Sequence, residues 1–261
     1  MLLPPAVFQK NAAMYPGRHK YFFVPGLLLG LIVFLAFLPG CAGLFTQHDL
    51  YATGDRLSSQ EASQVFKGKL CVLGAGVPGG RDGYQTLVSD LLGGVLRKQA
   101  ADSSNSFQIL GFSEFLNQIN QKTLLDEYLY MTDVYRRSGI YPKESLQLLQ
   151  SQLGIGHFIK PALLQLDQRS DTRLSVFSLR LIVTKETTVR VSAEIWNTRT
   201  GRKSWNGTAG CIIAGEKLSQ KRIVADKAIY DAWEKMAARL FEPLLAIPED
   251  NAGRGQTTQR H

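Results

Sequence analysis

Three sets of residues in this chain have types that do chemistry. Cys41 places a thiol directly after Leu38-Pro39-Gly40, at the end of a run from Tyr21 to Leu38 that holds no charge. A thiol at such an exit can be alkylated and loaded with acyl chains. Gly74-Ala75-Gly76-Val77-Pro78-Gly79 matches G-x-G-x-x-G, whose glycines let backbone amides approach a pyrophosphate. His48, His157 and His261 offer imidazoles, which bind metals or carry protons.

The thiol has the most specific setting. Residues 1–40 contain Lys10, Arg18 and Lys20 and no acidic residue. A basic start, an apolar stretch and a small-residue exit make a signal peptide. Leu38, Pro39, Gly40 and Cys41 resemble a bacterial lipobox, in which cleavage leaves the lipid-modified cysteine as the first mature residue. Met14 is an alternative initiator, giving a leader within the roughly 15–30 residues of such segments. An uncleaved membrane anchor is a competing reading, because the stretch sits near the lower limit of about 17 residues for a span. Pro25, Gly26, Gly30 and Pro39 suit a leader better, and plain secretion is the third reading. One acyl chain binds a bilayer marginally, whereas two or more hold it stably, at about 0.8 kcal/mol per buried methylene. The lipoprotein resemblance implies palmitate-type acylation of Cys41 and a membrane partner. Ala42, where Asp would favour inner-membrane retention, points to the periplasmic face of the outer membrane, with an inner-membrane anchor as the alternative.

The other two sets fare worse. Pro78 removes an amide from the glycine-rich loop, and Gly80-Arg81-Asp82-Gly83 delays the helix that should receive the phosphate. No acidic residue closes the next strand at Leu110-Gly111-Phe112. A flexible loop is expected there. The histidines stand apart, with no His/Cys/Asp/Glu group at ligand spacing, so no metal is expected. Asp126, Glu127 and Asp133 share a helical stretch with Arg136 and Arg137, the pattern of a solvated face with local ion pairs. No nucleophile-elbow motif is present. No catalytic residue and no cofactor are assigned, and the chain reads as a non-enzyme.

Composition sets the frame. The net charge is +8, and +5 once the leader's three basic residues are removed. Mild positivity suits anionic surfaces or plain solubility. No basic stripe interleaved with aromatics occurs, which argues against nucleic acid. Besides Cys41 the thiols are Cys71 and Cys211, in apolar strand-like settings that suit buried free thiols better than a bridge.

These residues need elements to position them. Residues 41–67 read as the lipidated cysteine and a polar tether, with a short helix near Ser59–Phe66. Residues 68–243 read as one domain and 244–261 as a disordered tail. Lys69–Leu73 and Phe107–Phe112 read as strands and Tyr84–Ala100 as a helix. Ser113 is placed to cap a short helix. Leu124–Arg137 and Lys143–Leu153 read as helices parted by Gly139 and Pro142. His157–Leu166, Arg173–Val183, Val189–Trp196 and Lys203–Ala214 read as a four-strand meander, with Thr184–Thr188 and Asn197–Gly201 as turns. Pro161 must lie at an edge or bulge. Leu218–Phe241 reads as a final amphipathic helix stopped by Pro243 and Pro248. The fold class expected is α/β: a mixed, largely antiparallel sheet with helices packed on it, preceded by the lipoprotein signal peptide. Val189, Val191, Ala193 and Ile195 form the inward face of their strand, leaving Trp196 on the polar phase with Trp205 across the turn. Exposed there, the pair would be a partner-binding surface; a second packed layer would bury it.

The segment Leu153-Gly154-Ile155-Gly156-His157-Phe158-Ile159, and the hairpin from Val191 through Asn197-Thr198-Arg199-Thr200-Gly201 to Trp205, resemble the curli-secretion-channel (CsgG-like) superfamily of bacterial envelope lipoproteins. That superfamily includes PelC-like lipoproteins and lipoprotein activators of penicillin-binding proteins. Asn197 stands where its members usually carry Asp. The resemblance covers roughly residues 69–241. It implies an α/β domain without enzyme activity, acting in secretion or envelope assembly through protein partners, and possible assembly into a homo-oligomeric ring. Its channel-forming members carry long hairpins; no extra hairpin of that length is expected in this chain, where 113–153 is the only segment long enough and reads as helical. A monomeric regulator of a cell-wall synthase, and an exported enzyme or nucleotide binder, are the alternatives.

Overall fold

A computed structural model of the chain describes residues 46–79, 83–102, 107–176, 179–217 and 225–245. The first element is an edge strand, β1 (Thr46–Gly54). Helix α1 (Ser59–Val65) follows, started by a capping box in which Glu61 N donates to Ser58 Oγ and Ser58 N donates to Glu61. Strand β2 (Lys69–Val72), helix α2 (Gly83–Asp102) and strand β3 (Gln108–Leu110) make a parallel crossover. Three helices then run in succession, α3 (Phe112–Gln121), α4 (Leu125–Ser138) and α5 (Lys143–Leu153). Helix α4 carries Asp126 and Glu127 in its first turn and Arg136 and Arg137 in its last, complementing its dipole. It ends on Gly139 at φ 73°, a left-handed residue that favours glycine. Three long strands, β4 (Ile155–Val176), β5 (Leu179–Asn197) and β6 (Lys203–Lys217), precede the last helix, α6 (Ala225–Leu245).

The six strands form one mixed sheet in the order β1-β6-β5-β4-β2-β3. β2 is parallel to β3 and β4, and the other neighbours are antiparallel. Alternation sends successive side chains to opposite faces. Leu70 and Val72 of β2 and Val189, Val191, Ala193 and Ile195 of β5 pack with α1, α2 and α6. Cys71, Phe158 and Trp196 pack on the other face with α3, α4 and α5. Helices therefore cover both faces, and the α/β class with a largely antiparallel sheet is as expected.

Several boundaries differ from the sequence reading. Residues 46–54, placed in the tether, pair along their whole length with Gly207–Gly215 of β6. Their polar composition fits an edge strand of which much faces solvent. Thr184–Thr188 is no turn: these residues pair with β4 on one side and β6 on the other. The meander is thus three long strands, and β4 and β5 form a long hairpin that the sequence reading did not expect. Its two strands close with Val176 opposite Leu179. Pro161 lies within β4 beyond Ile159, the partner of the last β2 residue; Gly76 N donates to its carbonyl at 2.9 Å. Gly111, not Ser113, is the N-cap of α3, with Glu114 accepting its amide at 3.2 Å. The last helix runs through Pro243 to Leu245.

Candidate functional site

Leu38, Pro39, Gly40 and Cys41 lie outside the described residues, as do residues 246–261 with His261. Among the described residues no helix is long and apolar enough to cross a membrane. Thr46, the first described residue, begins β1 five positions after Cys41.

The glycine-rich loop is not a phosphate cradle. Leu73 N donates to Ile159 O and Gly76 N to Pro161 O, each at 2.9 Å. Ala75 N donates to Ser89 Oγ at 2.8 Å. Two amides of the loop, and that of Leu73 just before it, are therefore spent on β4 and α2. Side chains also close the space, since a Cβ on Gly74 would collide with Gln85 and Phe112. Residues 74–76 are pinned in place rather than flexible.

Trp196 and Trp205 do not form a shared contact surface. Both are buried, at 4% and 1% exposure, and they belong to the cores on opposite faces of the sheet. The polar-phase position of Trp196 is covered by α4 and α5, the second layer that alternation alone cannot reveal. Its ring meets Tyr135 and Tyr141 edge-on, at centroid distances of 6.2 and 5.3 Å. Trp205 packs with α1, α2 and α6 and donates from Nε1 to Asp55 O at 2.8 Å, pinning the chain just after β1.

Around Trp196 lies a polar cluster that the sequence reading missed. Glu194 Oε2 accepts from Tyr135 Oη at 2.8 Å and from Trp196 Nε1 at 3.0 Å, and Oε1 accepts from Lys203 at 2.8 Å. Burial raises the Glu194 pKa, but these donors outweigh it and hold the group below its ordinary value. Lys160, on β4, donates to Gly74 O and lies 5.9 Å from the Tyr135 ring centre. Burial pulls its ammonium down to about 8, opposed by the Glu194 charge. The only sequence signal was the i, i+2 placement of Glu194 and Trp196 on a strand.

His157 is a strand residue, as read. Burial lowers its pKa to about 4. Asn197 Oδ1 accepts the amides of Arg199 and Thr200, both at 3.0 Å, which fixes the orientation of its side-chain amide. Its Nδ2 must then donate to His157 Nε2 at 3.2 Å. Asn at this position both shapes the turn and donates to Nε2 of a neutral imidazole; an aspartate carboxylate can shape the turn but has no proton to donate.

The fold does assemble one group of ligand-type side chains, correcting the expectation of none. His48 of β1, Cys211 of β6 and Asp231 of α6 bring their Nε2, Sγ and carboxylate oxygen within 4.8 Å of one another. Nε2 stands 3.4 Å from Sγ and 3.1 Å from Asp231 Oδ2. Lys227, one turn back on α6, lies 2.6 Å from the same Oδ2. Burial and the Asp231 charge push the Cys211 thiol up to about 11. Spacing could not show this group, because three separate elements supply it. Cys71 and Cys211 are buried free thiols in different cores.

Large apolar side chains remain exposed at Leu50 and Tyr51 on β1 and at Leu125, Leu129 and Tyr130 on α4. On the side away from β6, β1 has no strand partner among the described residues. It carries one acidic residue and neither Lys nor Pro to guard that edge.

No protein-family model matches the chain, and no curated protein is similar to it in sequence. Solved structures give distant likenesses. A PelC dodecamer from Paraburkholderia phytofirmans aligns with a TM-score of 0.38 at 12% identity, over 77% of this chain and 100% of that one. A lipoprotein from Neisseria meningitidis aligns with a TM-score of 0.30 at 11% identity, over 59% of this chain and 86% of that one.

Proposed function

We propose that the chain is a bacterial envelope lipoprotein, anchored through acyl chains on Cys41, that works by protein contact rather than catalysis. The observation that carries this reading is the lipobox Leu38-Pro39-Gly40-Cys41 set five positions before an open-edged strand. A fully stretched chain covers about 18 Å over five residues. An acylated Cys41 therefore holds β1 close to the lipid headgroups, and the polar tether of the sequence reading shrinks to the residues between Cys41 and Thr46. The edge of β1 that has no strand partner among the described residues and the apolar residues on α4 are the surfaces offered to partners. A second copy of the chain is one such partner, giving the homo-oligomer; an envelope export or assembly protein is the other. The outer membrane, periplasmic side, is the location that Ala42 favours.

Intact-mass measurement on protein from native membranes tests the anchor. The expected species begins at Cys41 and carries acyl chains, and a Cys41→Ser variant is unprocessed and unlipidated. An unacylated species starting elsewhere would overturn the reading. Native mass spectrometry of the detergent-solubilised protein tests self-association, where a monomer across all concentrations rules out the ring.

A further inference from the structure

We propose that His48, Cys211 and Asp231 form a transition-metal site, of the kind zinc occupies, that ties the edge strand β1 to the sheet and to α6. In the antiparallel register Leu50 faces Cys211 and Ile213 faces His48, so His48 and Cys211 are diagonal neighbours on one sheet face. Asp231 reaches them from the helix packed on that face.

The distances fit a metal. A tetrahedral zinc has a sulfur ligand at about 2.3 Å and nitrogen or oxygen ligands at about 2.0–2.1 Å, so its ligand atoms stand about 3.3–3.6 Å apart. The 3.4 Å from Nε2 to Sγ falls in this range, the 3.1 Å from Nε2 to Oδ2 is a little shorter, and Sγ lies within 4.8 Å of the carboxylate oxygen, so small side-chain shifts would complete the set. Hydrogen bonding alone serves the group poorly. In neutral histidine Nε2 either accepts a proton or donates one, so it cannot accept from the thiol and donate to the carboxylate together. A metal ion uses the lone pairs of all three atoms at once. Nitrogen, sulfur and carboxylate oxygen are together a borderline donor set, suited to zinc or cobalt rather than magnesium or calcium.

Access and charge are consistent with loading. Cys211 is fully buried, whereas the His48 side chain is 37% exposed, so the fourth position opens toward solvent and takes water. Lys227 Nζ competes for Asp231 Oδ2, 2.6 Å away, but its side chain is 65% exposed and is free to swing outward. On binding, the Cys211 S–H bond breaks, its proton passes to solvent, and the sulfur electron pair bonds to the metal. His48 binds through the Nε2 lone pair with its proton on Nδ1. Lys227 departs still protonated.

The test titrates Co²⁺ into the full-length, reduced and chelator-treated protein. One equivalent should produce thiolate-to-cobalt charge-transfer absorption with tetrahedral ligand-field bands, and Zn²⁺ should abolish both. Cys211→Ser should lose the charge-transfer band, and Cys71→Ser should keep it. His48→Ala should weaken binding at least about tenfold. Lys227→Ala removes an exposed competing cation, so it should fold normally and bind several-fold more tightly. No charge-transfer band in the full chain, or a band that survives Cys211→Ser, overturns the site. Should Cys211→Ser not fold, an unchanged affinity in Lys227→Ala overturns it instead.

Discussion

Gly207 lies directly beneath the indole of Trp205, where a Cβ would stand inside the ring's van der Waals surface. The neighbouring Gly54 meets the same ring from β1. Two glycines thus let a bulky side chain lie flat over the sheet, and its Nε1 reaches Asp55 O. Gly207→Ala should cost about 1–3 kcal/mol, because a buried indole has nowhere to retreat. Gly94 on α2 is the control: a Cβ there meets open space. Gly94→Ala should stabilise by roughly 0.5–1 kcal/mol. Urea denaturation of the two variants checks both signs.

Glu194 should matter more at neutral pH than in acid. Its folded pKa lies below its unfolded value, held there by Lys203, Tyr135 and Trp196 against the opposing effect of burial. A depressed carboxylate adds stability above its unfolded pKa, about 4.3, and loses it as pH falls through the folded value. Glu194→Gln should cost about 1–3 kcal/mol at pH 7. The gap from the unaltered protein should close below about pH 4. A gap that stays constant with pH would show that the carboxylate charge is not involved.

Lys160 gives the opposite limb. Its ammonium is lowered to about 8 in the folded state, against about 10.4 unfolded. Between those values the unfolded chain holds the extra proton, so stability rises with pH. The surrounding phenols of Tyr128, Tyr135 and Tyr141 and the thiols of Cys71 and Cys211 are all raised, chiefly by burial; ionising at about 10 and about 8.5 in the unfolded chain, they work against this rise. Lys160→Met should remove the Lys160 contribution, so the stability difference between the variant and the unaltered protein should change with pH between about 8 and 10. Denaturation at closely spaced pH values reads it directly.

His157 should respond to a single change at the turn. Its pKa of about 4 means that stability falls as pH drops from about 6.5 toward that value. Asn197→Asp keeps acceptors for the amides of Arg199 and Thr200 but replaces the donor to Nε2 with a negative charge. The His157 pKa should rise and the acid loss should shrink. NMR titration of the imidazole protons measures the shift; an unmoved pKa would mean that Asn197 and His157 are not coupled.

The parts of the fold that were legible are those whose local pattern and tertiary role agree. Helix α5, Lys143–Leu153, follows from its apolar spacing, Pro142 before it and Gly154 after it. The inward face of β5 follows from clean alternation at Val189, Val191, Ala193 and Ile195. β1 was lost because Gln47, His48, Asp49 and Thr53 stand exposed at the rim, giving it the composition of a loop. Lys185-Glu186-Thr187-Thr188 read as a turn because polar runs usually are, yet strands on both sides satisfy its backbone. Alternation puts Trp196 on the polar phase of β5 but marks two faces without saying whether helices cover both. The His48, Cys211 and Asp231 group was invisible for a related reason: only the sheet order makes those positions neighbours.

The pairing of β1 with β6 joins the earliest described strand to the latest across more than 150 intervening residues. A chain emerging N-terminus first must keep β1 waiting until Lys203–Lys217 and α6 have followed it. Closure of this edge is then the last act of assembly, and the slow one, since distant contacts carry the greatest loop-closure cost. Until it happens, the outer edge of β6 is a bare hydrogen-bonding template, and an interrupted or truncated copy would be left ready to capture its neighbours.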